Sequence, residues 1–161
     1  YISIDDKKII VEQFSDLLML SQYTRIPLHI FFTAHISSVN SLPSLVTISR
    51  KDTLYSRIKI EPNSSYHYRH VMITNQDPNL LVLRTTPLNS SFNESNPNKG
   101  HEVKEIVYIL SGVVGITWSS KNQEIRTQVL EQGDSVFIAP WIPHSFCSLT
   151  PDAEILAMDY I

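Results

Sequence analysis

A run of short β-type segments, separated by turn-forming residues, constrains the fold of this chain more than any other feature. Proline, asparagine, aspartate and serine cluster between the segments, where tight turns need them. Many short strands at this spacing predict an all-β jelly roll or barrel, because closure of the sheet removes exposed edges. The predicted strands are Leu54–Ile60, Tyr66–Ile73, Leu80–Thr85, Glu105–Leu110, Val113–Trp118, Ile125–Leu130, Ser135–Ile138, His144–Cys147 and Ile155–Tyr160.

The chain before Leu54 has a different pattern. From Asp5 to about Tyr23 apolar residues recur at helical spacing, and Asp5 or Asp6 is available as the N-cap. Pro27 follows and would end or restart this helix.

A second short helix could open at Pro43, although the apolar run at 30–32 fits a strand equally well. These patterns predict a small helical part at residues 1–50 and a β-barrel at residues 51–161. The two parts also differ in composition, because all four glycines lie between Gly100 and Gly133.

The composition of the chain is that of a folded globular protein. Of its 161 residues 42% are hydrophobic and 18% are charged, and the net charge of −3 argues against nucleic acid as a partner. A single cysteine, Cys147, excludes an internal disulfide framework and fits a reducing compartment. No apolar run reaches the roughly 20 residues that span a bilayer, and no leader pattern is present. A soluble cytoplasmic protein without membrane contact is therefore the expectation.

Two histidines and one glutamate form the strongest candidate for a functional site. His101 and Glu105 share the parity that places both side chains on one face of a strand, and a distant strand would bring His144. The β-branched run that follows Glu105, and the terminating Gly112, favour a strand over a helix. Two imidazoles and one carboxylate can occupy three adjacent corners of an octahedral metal and leave the others open. Pro143 would fix the backbone next to His144.

The stretches from Gly100 to Gly112 and from Gly133 to His144 resemble the two sequence motifs of the cupin family. The resemblance implies a small β-barrel that holds iron, manganese, nickel or zinc through three histidines and a glutamate. This chain departs from that pattern, because Lys99 stands where the first histidine would be expected. The ligand set that the resemblance implies is therefore reduced to His101, Glu105 and His144.

A reduced set of this kind resembles the non-haem iron cupins that oxidise phosphonates. The resemblance implies Fe(II), a small hydroxylated phosphonate-type acid as substrate, and dioxygen or hydrogen peroxide as oxidant. It also implies a helical part before the barrel and a homo-oligomer. By the same resemblance, Asn98 and the Tyr66-His67-Tyr68 stretch are candidates for substrate contacts.

An anionic substrate group needs charged donors, and several cations lie near the motifs. The candidates are Lys99, Arg84, Lys59, Arg57 and, from a neighbouring subunit, Lys7 or Lys8.

Other readings stay open at the level of sequence. The same three ligands would suit another metal-dependent cupin enzyme, such as a small-acid or thiol dioxygenase or an isomerase. A ligand-sensing regulator with a helical DNA-binding part is a second possibility. It is disfavoured because the segment from Asp5 to Tyr23 contains only two lysines and four acidic residues, whereas contacts to nucleic-acid phosphates need clustered cations. A barrel that has lost its metal is the third.

Overall fold

The fold is that of a two-sheet β-barrel, seen in a computed structural model that describes residues 2–5, 8–11, 14–25, 46–50, 55–60, 64–72, 74, 77, 79–119 and 124–160. Within these residues the elements are β1 (Ile2–Asp5), β2 (Lys8–Val11), α1 (Phe14–Thr24), β3 (Ser56–Lys59), β4 (Tyr66–Met72), β5 (Leu81–Pro87), β6 (Lys104–Ser111), β7 (Val113–Ser119), β8 (Ile125–Glu131), β9 (Ser135–Ile138), β10 (His144–Ser148) and β11 (Glu154–Tyr160), with a 3-10 turn at Phe92–Glu94. Every strand predicted after residue 53 is present.

The barrel strands divide into a larger and a smaller sheet. The larger is six-stranded with the order β3-β4-β5-β11-β6-β9, and the smaller is three-stranded with the order β10-β7-β8. All of their pairings are antiparallel. The predicted all-β barrel with a small helical part is confirmed.

The core lies between the two sheets and follows the alternation of the strands. In β6 the residues after Glu105 on the inner face are Val107 and Ile109, both with no exposed surface. Side chains from β7, β10 and β11 meet them, so the core is apolar directly beneath the predicted metal ligands. The main members are Tyr66, Val107, Ile109, Val114, Ile116, Ile138, Phe146, Ala153, Ile155 and Ala157.

The C-terminal strand β11 has a central place in the larger sheet. It pairs with β5 on one side and with β6 on the other. In this register Asp159 stands opposite both Leu81 and Glu105. The side-chain carboxyl group of Asp159 thereby lies beside Glu105, one of the predicted metal ligands.

The N-terminal helix differs from the prediction in where it begins. Residues 2–5 and 8–11 form an antiparallel hairpin, with Asp5 opposite Lys8, and the helix begins only at Phe14. The prediction of a helix capped at Asp5 is therefore wrong. Ile2 and Ile4 are β-branched, as are Ile9, Ile10 and Val11, and this strand preference outweighs the helical spacing.

Two further predictions for this part of the chain stay open. Pro27, Pro43 and the run at 30–32 lie outside the described residues, and the domain boundary at residue 50 stays a prediction. No helix among the described residues is both long enough and apolar enough to cross a membrane.

A test of the barrel closure comes from Gly112, which joins β6 to β7 with φ +67°. A Cβ at this position would lie 2.7 Å from the backbone N and Cα of Ala153. Gly133, with φ +96° and open space around it, provides a matched control. We expect about 1–2 kcal/mol of backbone strain in either alanine variant, and for Gly112→Ala a further loss of about 1–3 kcal/mol from overpacking. Urea unfolding measures the difference, and equal losses in the two variants would contradict this account.

Candidate metal centre

His101 reaches the site from a loop and not from a strand. It precedes β6, in the segment that joins Asn98 to Lys104. Two bonds hold this loop: Gly100 N donates to Asn98 Oδ1 at 2.7 Å, and Trp141 N donates to His101 O at 2.7 Å. The prediction that His101 shares a strand with Glu105 is therefore wrong, because the Asn98 turn and the link to Trp141 take the backbone out of the sheet.

His144 is the first residue of β10, as predicted, and the same loop holds it in place. Asn98 N donates to His144 O at 2.9 Å, and His144 N donates to Asn98 Oδ1 at 3.1 Å. On the other side Ser119 N donates to the carbonyl of Pro143 at 3.0 Å. Asn98 thus joins the segment before β6 to the beginning of β10.

The side chains of His101, Glu105 and His144 converge at one end of the barrel. One ligand atom from each lies within 4.8 Å of the others, and this cluster of three is the one found among the described residues. The Oε2 atom of Glu105 is 3.2 Å from Nε2 of His101 and 3.0 Å from Nε2 of His144. The two imidazole rings are perpendicular, with centroids 5.0 Å apart.

The outer nitrogen of each ring is held by the backbone. Nδ1 of His101 donates to the carbonyl of Val103 at 3.2 Å, and Nδ1 of His144 donates to the carbonyl of Ile142 at 2.9 Å. A carbonyl can only accept, so Nδ1 carries the proton in each ring. When a ring is neutral, its Nε2 presents a lone pair toward Glu105, and when Nε2 is protonated as well, the ring donates a hydrogen bond to that carboxylate. Two lone pairs and a carboxylate need a cation between them, which is the donor set of a divalent metal site.

The pKa values of Glu105 and His144 depend on the balance between burial and the interactions within the cluster. Burial would raise the pKa of Glu105, but hydrogen bonds from His101 and His144 outweigh it and lower the pKa to about 2. Burial would lower the pKa of His144, but the hydrogen bond with Glu105 and its charge outweigh it and raise the pKa. The carboxylate is therefore ionised, and protons compete with a metal for the same position.

A cavity of about 360 Å³ opens from this cluster into the barrel. Its volume is in the range of a small-molecule site. Both polar and apolar side chains form its wall. It is lined by Leu17, Arg57, Ile58, Lys59, Tyr66, Tyr68, Leu81, Leu83, Thr85, Asn98, His101, Glu105, His144, Phe146, Ile155, Ala157 and Asp159.

Most of the predicted substrate residues line this cavity. Arg57 and Lys59 enter it from β3, and the guanidinium of Arg57 lies 4.9 Å from the centre of the Tyr68 ring. Burial, and then the neighbouring Tyr66, raises the pKa of Tyr68, so its hydroxyl keeps its proton. Asn98 also lines the cavity, but its Oδ1 is occupied by the two backbone bonds. Its amide nitrogen is the group that can face a ligand.

Tyr66 has a structural role in addition to its place in the wall. Its hydroxyl accepts a hydrogen bond from Phe146 N at 2.9 Å, and this bond joins β4 of the larger sheet to β10 of the smaller one. Burial raises the pKa of Tyr66, so the hydroxyl is neutral.

Two of the predicted anion-binding residues, Arg84 and Lys99, do not line the cavity. Arg84 lies on the outer face of β5, with its side chain 54% exposed, where it forms an ion pair with Glu154. Strand alternation explains this, because the residues on either side of Arg84 face inward. Lys99 is exposed at the loop surface. The predictions for Lys7 and for the side chain of Lys8 lie outside the described part of the chain.

Asp159 is the residue that reasoning from the sequence missed. It lines the cavity from β11, and its Oδ1 is buried without a hydrogen-bond partner among the described residues. Burial, and then the negative charge of Glu105, raises the pKa of Asp159 to about 8. The signal was present in the sequence, because Asp159 shares the parity of Ile155 and Ala157 in a predicted strand. A charged residue in an inward row is unusual and marks a candidate site.

Comparison with known proteins gives a family match over part of the chain and a set of distant relatives. Residues 92–158 match the cupin domain family, and these residues hold all three members of the metal cluster. The match covers less than half of the chain and coincides with the stretches whose motifs resemble that family. It is 25% identical over 124 residues to (S)-2-hydroxypropylphosphonic acid epoxidase of Streptomyces wedmorensis. That alignment covers 75% of this chain and 62% of the epoxidase, so less than two thirds of the relative is represented.

Solved structures show the same fold. Fe(II)-HppE with the alternative substrate (S)-1-HPP has a TM-score of 0.67 and 20% identity, over 92% of this chain and 75% of that one. Hydroxypropylphosphonic acid epoxidase from the same Streptomyces species, in complex with fosfomycin, has a TM-score of 0.62 and 21% identity, over 92% and 75% of the chains. At this level of identity the likeness establishes the fold.

Metal content of the purified protein tests the cluster directly. We expect close to one divalent metal ion per chain in the wild type, and loss of that metal in His101→Ala and Glu105→Ala, because two ligands alone leave the ion mostly to water. His67→Ala is the control, since His67 bonds Ser56 Oγ at 2.7 Å on β3 and is not part of the cluster. Full metal content in Glu105→Ala, measured by elemental analysis, would contradict the assignment.

The two tyrosines of β4 should respond differently to loss of the hydroxyl. Tyr66→Phe leaves the buried amide of Phe146 without a partner, so we expect a loss of about 1–3 kcal/mol in the free energy of unfolding. For the Tyr68 hydroxyl no hydrogen bond is found among the described residues, so Tyr68→Phe should retain stability to within about 0.5 kcal/mol. Urea unfolding of the metal-free proteins measures both. Equal losses would show that the roles are not separate.

Proposed function

We propose that this protein is a mononuclear non-haem Fe(II) oxygenase or oxidase that acts on a small hydroxylated acid of the phosphonate type. The observation that carries the proposal is the convergence of two imidazole nitrogens and one carboxylate oxygen in the wall of a cavity. Three ligands on one side leave coordination positions that can face the cavity. The arrangement fits an ion that must bind a substrate while it is held by the protein.

Iron held in this way would supply open positions for a chelating substrate and for dioxygen or peroxide, and with them the capacity for oxidation. Two neutral imidazoles and one ionised carboxylate leave a net positive site on Fe(II). The protein fixes both rings through the carbonyls of Val103 and Ile142, so they are held in the binding orientation before any metal arrives. The same set could hold another divalent metal.

The cations of β3 provide the second part of the proposal. Arg57 and Lys59 face the cavity, so a phosphonate or carboxylate group would find charge-assisted donors there. The hydroxyl of Tyr68 and the amide nitrogen of Asn98 add neutral donors. The anionic end of the substrate would therefore lie toward β3 and β4, with its hydroxyl directed to the metal cluster.

The apolar floor would keep water away from the reacting end. Leu81 and Leu83 of β5, Phe146 of β10 and Ile155 of β11 line it. A dry wall strengthens every charged interaction within the cavity and limits side reactions with water.

The comparisons support this substrate class without fixing it. The relative that matches in sequence is an epoxidase of (S)-2-hydroxypropylphosphonic acid, and structures of that type have been solved with Fe(II) and with Co(II). The match is 25% identical and covers 62% of that protein. Fe(II) as the working metal, a homo-oligomeric state and a cytoplasmic location stay predictions.

A second candidate function is a metal-dependent cupin enzyme for a less charged substrate, such as a small-acid dioxygenase or an isomerase. The placement of Asp159 favours it, because a carboxyl beside Glu105 works against a dianion in the same cavity. The two functions share the metal cluster and differ in the acid that is accepted.

Oxygen consumption by the Fe(II)-loaded protein separates the candidates. We expect turnover with 2-hydroxypropylphosphonate, with dioxygen or with hydrogen peroxide, and none with lactate. His101→Ala should lower the rate by more than about 100-fold, beyond the roughly 10–100-fold typical when a hydrogen-bond partner of a metal ligand is lost. Zinc-loaded protein is the inactive control. Turnover of lactate but of no phosphonate would establish the second candidate and reject the first.

A further inference from the structure

Asp159 occupies a position that the packing of the barrel does not explain. It belongs to the inward row of β11, whose other members are Ile155 and Ala157. Both of these are buried in the apolar core. An apolar residue at the same place would extend that core, whereas a carboxyl must be removed from water at a cost. A hydrogen-bond partner for the carboxyl is needed to offset this cost.

The neighbours of Asp159 in the sheet cannot provide that contact. On one side stands Leu81, which has no polar side-chain atom. On the other stands Glu105, whose Oε2 lies between the two histidines. The Oδ1 atom of Asp159 is buried and has no hydrogen-bond partner among the described residues. Buried polar groups are nearly always hydrogen-bonded, so an unpaired oxygen facing a cavity indicates a ligand that bonds to it.

The other polar groups of the cavity have the opposite character. Arg57 and Lys59 carry donors and positive charge, and the Asn98 amide can face a ligand only through its nitrogen. Tyr68 lies close enough to both sides to interact electrostatically with Arg57 and with Asp159. A ligand that fills the cavity therefore meets donors at one side and the carboxyl of Asp159 at the other.

We propose that Asp159 is a specificity-determining residue: its carboxyl accepts a hydrogen bond from a hydroxyl or ammonium group of a small acid whose anionic group lies toward Arg57 and Lys59. The proposal deepens the proposed function and rests on it for the identity of the acid. It restricts the substrate class to acids that carry a hydrogen-bond donor near the metal cluster. Simple alkyl acids of the same size leave Asp159 unpaired and are disfavoured.

Binding of matched acids to the metal-loaded protein under anaerobic conditions tests this proposal. The probes are ethylphosphonate, 2-hydroxyethylphosphonate and 2-aminoethylphosphonate, which differ only in the donor group. We expect the wild type to bind each donor-bearing acid at least about tenfold more tightly than ethylphosphonate, by titration calorimetry. In Asp159→Leu only the metal would still favour the two donor-bearing acids over ethylphosphonate. We expect both preferences to be at least about fivefold lower than in wild type.

A second variant distinguishes the two kinds of donor and guards against misfolding of the first. Asp159→Asn is nearly isosteric and keeps an acceptor oxygen, so the hydroxyl preference should persist in part while the ammonium preference falls at least about fivefold. Asp152→Asn, an exposed carboxylate in the turn before β11, is the control and should change neither. Preferences within about twofold of wild type in both Asp159 variants would overturn the proposal.

A parallel series separates this proposal from the proposed function. Lactate and propionate form a matched pair of carboxylic acids with and without a hydroxyl group. If wild type binds this pair but no phosphonate, the phosphonate class is rejected while the hydroxyl preference still tests Asp159. If no acid of either series binds the metal-loaded wild type, both proposals are overturned.

Discussion

The structure of the site depends on one buried carboxylate. Glu105 is 7% exposed, and a charged group at that depth is stable only when its oxygens have partners. His101 and His144 both place Nε2 near the Oε2 atom of Glu105, at 3.2 and 3.0 Å. Each ring is oriented by a carbonyl two residues away, so the carboxylate lies between two fixed imidazoles. A divalent ion at this point would neutralise the charge that the fold has removed from water.

The loops around the carboxylate hold this geometry because they are joined to each other. Asn98 bonds the backbone of His144 in both directions, and Trp141 bonds the backbone of His101. The segment before β6 and the segment before β10 are thus one unit, although more than forty positions separate them in the sequence. A site built on bonded backbone is expected to be more precise than one on free loops, and metal ligands need that precision.

Much of the fold could be predicted from the sequence, and the exceptions have physical causes. The strands from β3 onward are bounded by turn chemistry, so their existence follows from the pattern, and in β5 and β6 the inward faces follow from it as well. The helix start failed because the β-branched residues at 9–11 also fit a helical period. His101 was placed on a strand because it shares the parity of Glu105. The hydrogen bond from the distant Trp141 that holds it in a loop cannot be read from that spacing. Arg84 could have been excluded by alternation alone, whereas its ion pair with Glu154 depends on the order of strands.

The strand order also explains why the cavity has two different sides. Arg57 and Lys59 lie on β3 and Tyr68 on β4, at one edge of the larger sheet. Asp159 and Glu105 lie on β11 and β6, and the leucines of β5 separate the two groups. A strip of apolar wall therefore lies between the cationic side of the cavity and the side with the carboxyl groups. A ligand with a polar group at each end would meet both sides, whereas a ligand with a single anionic end would leave Asp159 Oδ1 unsatisfied. The arrangement selects molecules with two polar ends, and the metal cluster lies at the end where the carboxylates are.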